Sequence, residues 1–441
     1  MTAETWIWSI SLLLCVVLVA QRWWEPRLSA WLAARRGRPW GWYLVGYPAL
    51  VVRVRWTWRR MTQLLDLAVV RRPSFTMIGR DTYVSGRALR PVPPWLGVMR
   101  PTPMGAVARV RLHPGQTPEQ YVSVAEAIAH AWRVHAVRVT SPRRGEVELR
   151  ATARDPLARP GMVAAPAASR RLLAAVVGWW EDGRAWLIDL RAVPHWLIVG
   201  ATKSGKSNLL AALVAELAPQ PVALVGIDLK GGLELSLFQR RLSTLASDRQ
   251  EAAALLQGLV ELAKDRMTTC RAAGVRSVWE LAEDERPVPV VVIVDEIAEL
   301  FLPDGTPEGR RETAHCVASL LRLAQLGRAL GVHLVVAGQR VGSELGPGLT
   351  SVRAQLGGRV CHRVTDEQTA VMTLGDLQPD AVIAAQSIAE DEPGVCVIAE
   401  SGQWTRARST HVPAEIAQAI AARWARRTPV LPLPAGRGVE S

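Results

Sequence analysis

The sequence predicts an α/β protein with a mainly parallel sheet around one phosphate-binding loop. A small α+β module and an apolar N-terminal segment precede it. Three observations predict this. Gly200-Ala201-Thr202-Lys203-Ser204-Gly205-Lys206-Ser207 fits the pattern G-x-x-x-x-G-K-[ST] in full. From about Leu172 onward, apolar β-branched runs alternate with helical stretches, the pattern of a parallel sheet covered by helices. Residues 1–72 differ from the rest: nine of the 18 tryptophans fall before residue 59, around two apolar runs.

The first run, Thr5 to Ala20, has sixteen residues without a charge, slightly short of the roughly 20 that span a bilayer. Tryptophans bracket it as an aromatic belt would, and Arg22, Arg27, Arg35, Arg36 and Arg38 follow it. These features read as a membrane anchor whose C-terminal side faces the cytoplasm. A cleaved signal peptide is the rival reading, but the run has no basic stretch before it and no small-residue cleavage site. The second run, Trp40 to Val52, contains Pro48 and has arginines on both sides. It suits an interfacial or hairpin segment and a second span equally well.

Residues 75–158 read as the small α+β module. Val107–Leu112 alternates as a strand, Thr117-Pro118-Glu119 starts a helix that runs to about Trp132, and Ala136–Thr140 and Glu146–Ala151 form a hairpin. The Pro- and Ala-rich residues 159–171 are a linker by composition, 172–411 is the large α/β domain, and 412–441 is a short helix and tail.

The chemistry lies at the strand ends of the large domain. Trp196–Val199 delivers the chain into the loop and Asn208–Leu217 continues as a helix. Gly200 and Gly205 let the amides of Ala201 to Asn208 curl around phosphate oxygens, and the helix N-terminus adds its positive end. Lys206 would reach the β- and γ-phosphates of ATP, and the Ser207 hydroxyl would hold Mg²⁺. Val222–Ile227 ends in Asp228-Leu229-Lys230, and Val290–Val294 ends in Asp295-Glu296. Asp295 would bind the Mg²⁺ and Glu296 would activate the attacking water. Either acid alone is also a plausible helix cap. Val332–Ala337 ends in Gly338-Gln339-Arg340, where an amide can sense the γ-phosphate and Arg340 can pair with phosphate or a neighbouring subunit.

Composition narrows the class. Only four of 53 basic residues are lysines, and two of those, Lys203 and Lys206, lie in the loop. A net charge of +13 points to a nucleic acid or an anionic membrane, unless Arg-rich coding alone raises it. Five scattered cysteines argue against a disulfide framework, and Cys361-His362 lacks the second pair that a zinc site needs.

The chain resembles the FtsK/SpoIIIE family of DNA-pumping ATPases. The resemblance rests on Asp189-Leu190, Pro194-His195, the loop, Asp228-x-Lys230, Glu234-Leu235, Arg276-Ser277, Asp295-Glu296 and Gln339-Arg340, in that order. The stretch from Gly358 to Asp376, with Arg359 and Asp366, resembles the closing motif. The resemblance is greatest to conjugative transfer proteins of plasmids and integrative elements in high-GC Gram-positive bacteria. It implies a RecA-like motor, a hexameric ring at the membrane, and double-stranded DNA as partner. It also implies an arginine supplied in trans: Arg359 or Arg363, with Arg322 and Arg328 behind them. Three departures stand out: Lys203 replaces a third glycine, Gly338 replaces a threonine, and thirty residues after His411 leave no room for a sequence-reading module. The rivals are a chromosome-segregation pump, a protein-secretion ATPase, which usually carries several ATPase repeats, and a scaffold that binds nucleotide without hydrolysing it.

Overall fold

The computed structural model describes residues 41–70, 91–158 and 171–432, apart from 103, 154, 156, 304, 343–344, 347, 376–378 and 401–402. The run Thr5–Ala20, the tryptophans through Trp40 and nearly all of the linker lie outside the described residues. The chain divides into two compact units, 1–156 and 157–441.

In the first unit a π-turn, Trp42–Gly46, leads into α1 (Tyr47–Leu64). The strands β1 (Trp95–Leu96), β2 (Arg100–Thr102) and β3 (Gly105–Arg111) follow. After them come α2 (Pro118–Val122), α3 (Ala125–Trp132), β4 (Ala136–Arg143) and β5 (Glu146–Thr152). The antiparallel sheet runs β1-β3-β5-β4, with β2 also on β3. Leu50, Val54, Trp58 and Met61 form one helical stripe of α1 and bury it among Val110, Ile128, Trp132 and Leu149. The Trp58 indole donates to Pro94 O at 2.8 Å, and Tyr47 Oη to Met99 O at 2.7 Å. The second apolar run therefore enters a helix packed on the module, and the border expected at 72–75 falls within one unit. The physical reason is period: the run keeps one core-facing stripe, whereas a span is apolar all round. No helix among the described residues is long and apolar enough to cross a membrane. The helix expected to run unbroken to Trp132 is split at Ser123-Val124, and Arg133, at φ +53°, ends it.

The second unit is a ten-stranded sheet. Its elements, in order, are β6 (Ala174–Trp180), β7 (Ala185–Asp189), β8 (His195–Val199), α4 (Lys206–Leu217) and β9 (Ala223–Ile227). Next come β10 (Thr244–Ala246), α5 (Arg249–Ala272), β11 (Val290–Val294), α6 (Ile297–Phe301), α7 (Pro307–Leu330) and β12 (Val332–Gly338). The last are α8 (Leu349–Gln355), β13 (Gly358–His362), α9 (Glu367–Leu374), α10 (Pro379–Gln386), β14 (Val395–Glu400), β15 (Gln403–Ser409) and α11 (Ala414–Trp424). The strand order is β10-β9-β11-β12-β8-β13-β14-β15-β6-β7. The first six are parallel, and their inner members are buried along their whole length, as strands covered on both faces must be. The remaining four extend the sheet antiparallel, which the sequence reading did not anticipate. Strands such as Gln403–Ser409 mix arginines with apolar residues and carry no parallel-core signature. One apolar layer, with Leu213, Leu217 and Phe238, covers one face of the sheet; another, with Leu256, Leu259 and Leu323, covers the other.

Candidate functional site

Strand order and register bring the expected residues together. Ile227 of β9 pairs with Val294 of β11, Val294 with Val336 of β12, and Gly338 with Val199 of β8. Four parallel strands therefore end side by side. Their tips carry Asp228 to Lys230, Asp295-Glu296, Gln339-Arg340 and the loop that starts at Gly200. The carboxyl ends of neighbouring parallel strands are where such sheets take ligands.

The loop is held by its own backbone. Gly200 N donates to Gly338 O at 3.2 Å, and Ala201 N donates to Arg363 O at 2.9 Å. Gly205 has φ +106°, and a Cβ there would lie 2.3 Å from Gly394 N, so only glycine fits. Lys203 has φ +63°, which explains why a glycine would also suit that position. The first amides of α4 have no partner within the helix. Lys206 opens that helix, is nearly buried, and donates from Nζ to Asp295 O at 2.7 Å. The same Nζ lies 3.7 Å from Asp295 Oδ1 and 3.7 Å from Glu296 Oε2.

The two acids differ in surroundings. Asp295 Oδ1 is buried without a hydrogen-bond partner, and burial raises the pKa of this carboxyl against the pull of Lys206. An open carboxylate oxygen there, one residue from Glu296 and opposite the Lys206 ammonium, suits a divalent cation. Among the described residues no cluster of three or more acids, histidines or cysteines forms a metal cage. Glu296 is fully engaged: Oε1 accepts the Gln339 N–H at 3.0 Å, and Oε2 accepts Lys230 Nζ at 3.1 Å. Partial burial opposes the charge on Lys230, but Glu296, then Asp295 and Glu299, outweigh it and raise its pKa. A Cβ at Gly338 already lies 2.8 Å from Ile297 Cγ2 and 3.1 Å from Glu296 Oε1, so a larger residue there would crowd the acid. The Gln339 side chain turns the other way and accepts from Thr202 Oγ at 3.3 Å.

Two hollows flank the loop. A cavity of about 760 Å³ opens over Thr202 and Lys203 and is lined by Gln339, Arg340, Arg363 and Asp366. A cleft of about 190 Å³ lies beside Ser207 and Asn208, against Phe238, His411 and Val412. Asn208, expected to bind cofactor, spends its side chain elsewhere. Its Nδ2 donates to Thr410 O at 2.6 Å and Ser409 Oγ at 3.1 Å, and its Oδ1 accepts from Val412 N at 2.9 Å. Only its backbone is left to face a phosphate.

The arginines separate clearly. Arg359, expected to act in trans, turns inward: Nη2 donates to Arg353 O at 2.6 Å and Nη1 to Thr373 O at 3.4 Å. Burial lowers its pKa, and its guanidinium is committed to its own chain, which corrects the expectation. Arg363 and Arg340 line the larger cavity, where Arg363 Nη2 stands 3.7 Å from Glu390 Oε1. Arg322 and Arg328 are exposed on α7, and the Arg328 carbonyl, just before β12 begins, accepts from Trp279 Nε1. That is the end of the sheet opposite the loop. Sequence reasoning did not foresee the Lys230–Glu296 contact. The available signal was Asp228-x-Lys230 at a strand end, once β9 is known to neighbour β11.

Comparison with known proteins agrees with this geometry. Residues 30–153 match the actinomycete conjugal transfer protein N-terminal domain, and residues 165–343 match the FtsK/SpoIIIE family. The transfer protein TraSA of Streptomyces ambofaciens is 45% identical over 352 residues, covering 77% of this chain and 84% of TraSA. The chain belongs to the FtsK/SpoIIIE family. It carries the N-terminal domain of the actinomycete transfer proteins beside the family's ATPase domain. A sporulation regulatory protein of Streptomyces azureus is 48% identical over 260 residues, 57% of this chain and 85% of that protein. The solved structure of a conjugation coupling protein, TcpA, in a monomer form with ATPγS, superposes with a TM-score of 0.55 at 19% identity. It covers 84% of this chain and 99% of TcpA, so the two share a fold.

Proposed function

We propose that this chain is a membrane-anchored ATPase that translocates double-stranded DNA, transferring plasmid or integrative-element DNA between cells. The observation that carries the reading is the convergence of Lys206, Asp295, Glu296 and Gln339 at three adjacent strand tips, those of β8, β11 and β12. Lys206 and the loop amides would bind the ATP phosphates, Ser207 and Asp295 would hold Mg²⁺, and Glu296 would take a proton from the attacking water. When bound, Mg²⁺ would supply charge neutralisation on the phosphates. Gln339 links Glu296, through its backbone, to the loop, through its side chain. Subunits assemble into a hexameric ring, with Arg363 or Arg340 facing the neighbour's nucleotide across the larger cavity.

The partners follow from charge and family. A net charge of +13 supports a phosphate-directed, salt-dependent grip on DNA. The uncharged run Thr5–Ala20 and the outward stripe of α1, with exposed Val52, Trp56 and Leu64 beside Arg59 and Arg60, support a membrane partner, the motor being cytoplasmic.

The test is ATP hydrolysis by the full chain in detergent, with and without linear duplex, beside Lys206→Ala and Glu296→Gln. The reading expects strong stimulation by duplex and not by single strands, lost in both variants. An active ATPase indifferent to DNA would move the assignment to protein export, and no hydrolysis at all to a nucleotide-binding scaffold.

A further inference from the structure

Lys230 is the strongest unassigned feature. It sits three residues beyond a buried strand, on a turn that winds around one carboxylate. Asp228 is fully buried, and its oxygens accept from Lys230 N at 3.3 Å, Glu234 N at 2.9 Å and Leu235 N at 3.1 Å. Gly231 and Gly232, at φ +77° and +72°, complete the turn. The backbone of Lys230 is thus fixed by its own segment, and its flexible stem crosses to β11. There the ammonium meets Glu296 Oε2 at 3.1 Å, while the Gln339 amide holds Oε1 at 3.0 Å. One carboxylate is clamped from both neighbouring strands, β9 and β12. A side chain with several χ angles needs such a clamp to keep one geometry, and a base displaced by about 1 Å can cost about 100-fold in rate.

We propose that Lys230 is a positioning residue for the base: its ammonium, anchored by the Asp228 turn, holds the Glu296 carboxylate in the orientation that receives the water proton. The proposal rests on the reading of Glu296 as that base. Lys230 itself touches neither phosphate nor water in this scheme. Its loss therefore slows turnover without weakening nucleotide binding. Two alternatives make opposite forecasts. A brake that keeps Glu296 from acting would give faster turnover when removed, and a phosphate-binding lysine would give a raised KM.

The experiment compares wild type, Lys230→Ala, Lys230→Arg and a Lys264→Ala control, as full chains, for kcat and KM of ATP hydrolysis. Lys230→Ala is expected to lose about 10- to 100-fold in kcat, with KM within about 2-fold of wild type. Lys230→Arg should recover part of the loss, since a guanidinium can still donate to Oε2. The decisive measurement is a cycle with Glu296→Gln under single-turnover conditions. With the carboxylate gone, adding Lys230→Ala should cost less than about 2-fold more, because the two residues act as one unit. An unchanged or increased kcat in Lys230→Ala, a loss confined to KM, or fully additive losses in the double variant would each overturn the proposal. Absence of hydrolysis in wild type would instead overturn the assignment of Glu296 on which it rests.

Discussion

Asn208→Ala tests whether the phosphate-binding helix is stapled to the C-terminal segment. The Asn208 side chain joins α4 to residues 409–412 through donations to Thr410 O and Ser409 Oγ and acceptance from Val412 N, with the His411 ring 3.2 Å from Oδ1. Truncation removes all of them and leaves the Val412 N–H and Thr410 C=O, both partly buried, without this partner. Net hydrogen-bond values of about 0.5–1.5 kcal/mol, counted for the three shortest contacts and reduced because solvent can reach some of them, give a loss of about 2–3 kcal/mol. For a unit of this size that corresponds to about 4–10 °C in the melting temperature. The cleft beside Phe238 and His411 should loosen with it, so the KM for ATP should rise while kcat changes little. The assays are thermal unfolding followed by circular dichroism and steady-state hydrolysis. A variant that melts within 1–2 °C of wild type would refute the stapling argument (about 0.5 kcal/mol on the same scale).

Five other outcomes follow from the geometry. Glu296→Gln should retain ATP binding and lose about 10²–10⁴-fold in hydrolysis, read by comparing nucleotide affinity with turnover. Gly205→Ala should abolish ATP binding, measured by calorimetry, because the added Cβ would run into Gly394 and the φ of +106° is closed to alanine. Arg359→Ala should lower the melting temperature. Arg363→Ala and Arg340→Ala should leave the melting temperature unchanged, and one of the two should poison hydrolysis when mixed with wild type. His195, His333 and His362 are buried and held down to about 4, so the folded chain keeps them neutral while the unfolded chain protonates below about 6.5. Stability should therefore be level above pH 7, fall as pH drops from about 6.5, and stop falling from this cause near pH 4, as urea midpoints across that range would record.

Much of the site was legible because it sits where period and composition change together. A run of five β-branched residues such as Val290–Val294 has one natural place, a strand covered on both faces, and the acids directly after it must lie at the strand tip. The loop was legible because Gly200 and Gly205 answer to sterics alone. What could not be read was neighbourhood. Nothing local says that β9 lies beside β11 and β8 between β12 and β13, so the clamp on Glu296 was invisible although both of its halves had been named. Arg359 misled for the same reason. Its place in the closing motif of the resemblance implied a charge offered to the next subunit, but on β13 the Arg353 and Thr373 carbonyls lie within its reach. The first unit shows the converse: the apolar content of Trp40–Val52 was plain, yet only the stripe that continues past it, Leu50, Val54 and Trp58, revealed a helix with one buried face.

The rarity of lysine ties composition to this neighbourhood. Three of the four lysines, Lys203, Lys206 and Lys230, lie on the loop or against Glu296, in a chain that otherwise uses arginine. Two of these places, 206 and 230, favour a compact ammonium to different degrees. Lys206 is nearly buried and puts one ammonium within 2.7 Å of Asp295 O while standing 3.7 Å from both carboxylates, a packing that suits a compact ion and not a planar fork. Lys230 reaches Glu296 with a point charge from a turn fixed elsewhere, a looser demand that an arginine can partly meet. Lys264 only faces Glu261 at 2.7 Å on the surface of α5, where either cation serves. Replacing each in turn by arginine should therefore give a graded series in hydrolysis: near-total loss at 206, partial loss at 230 and no change at 264. A flat series would mean that the lysines were left by chance, and equal losses at 206 and 264 would mean that the surface charge had been misjudged.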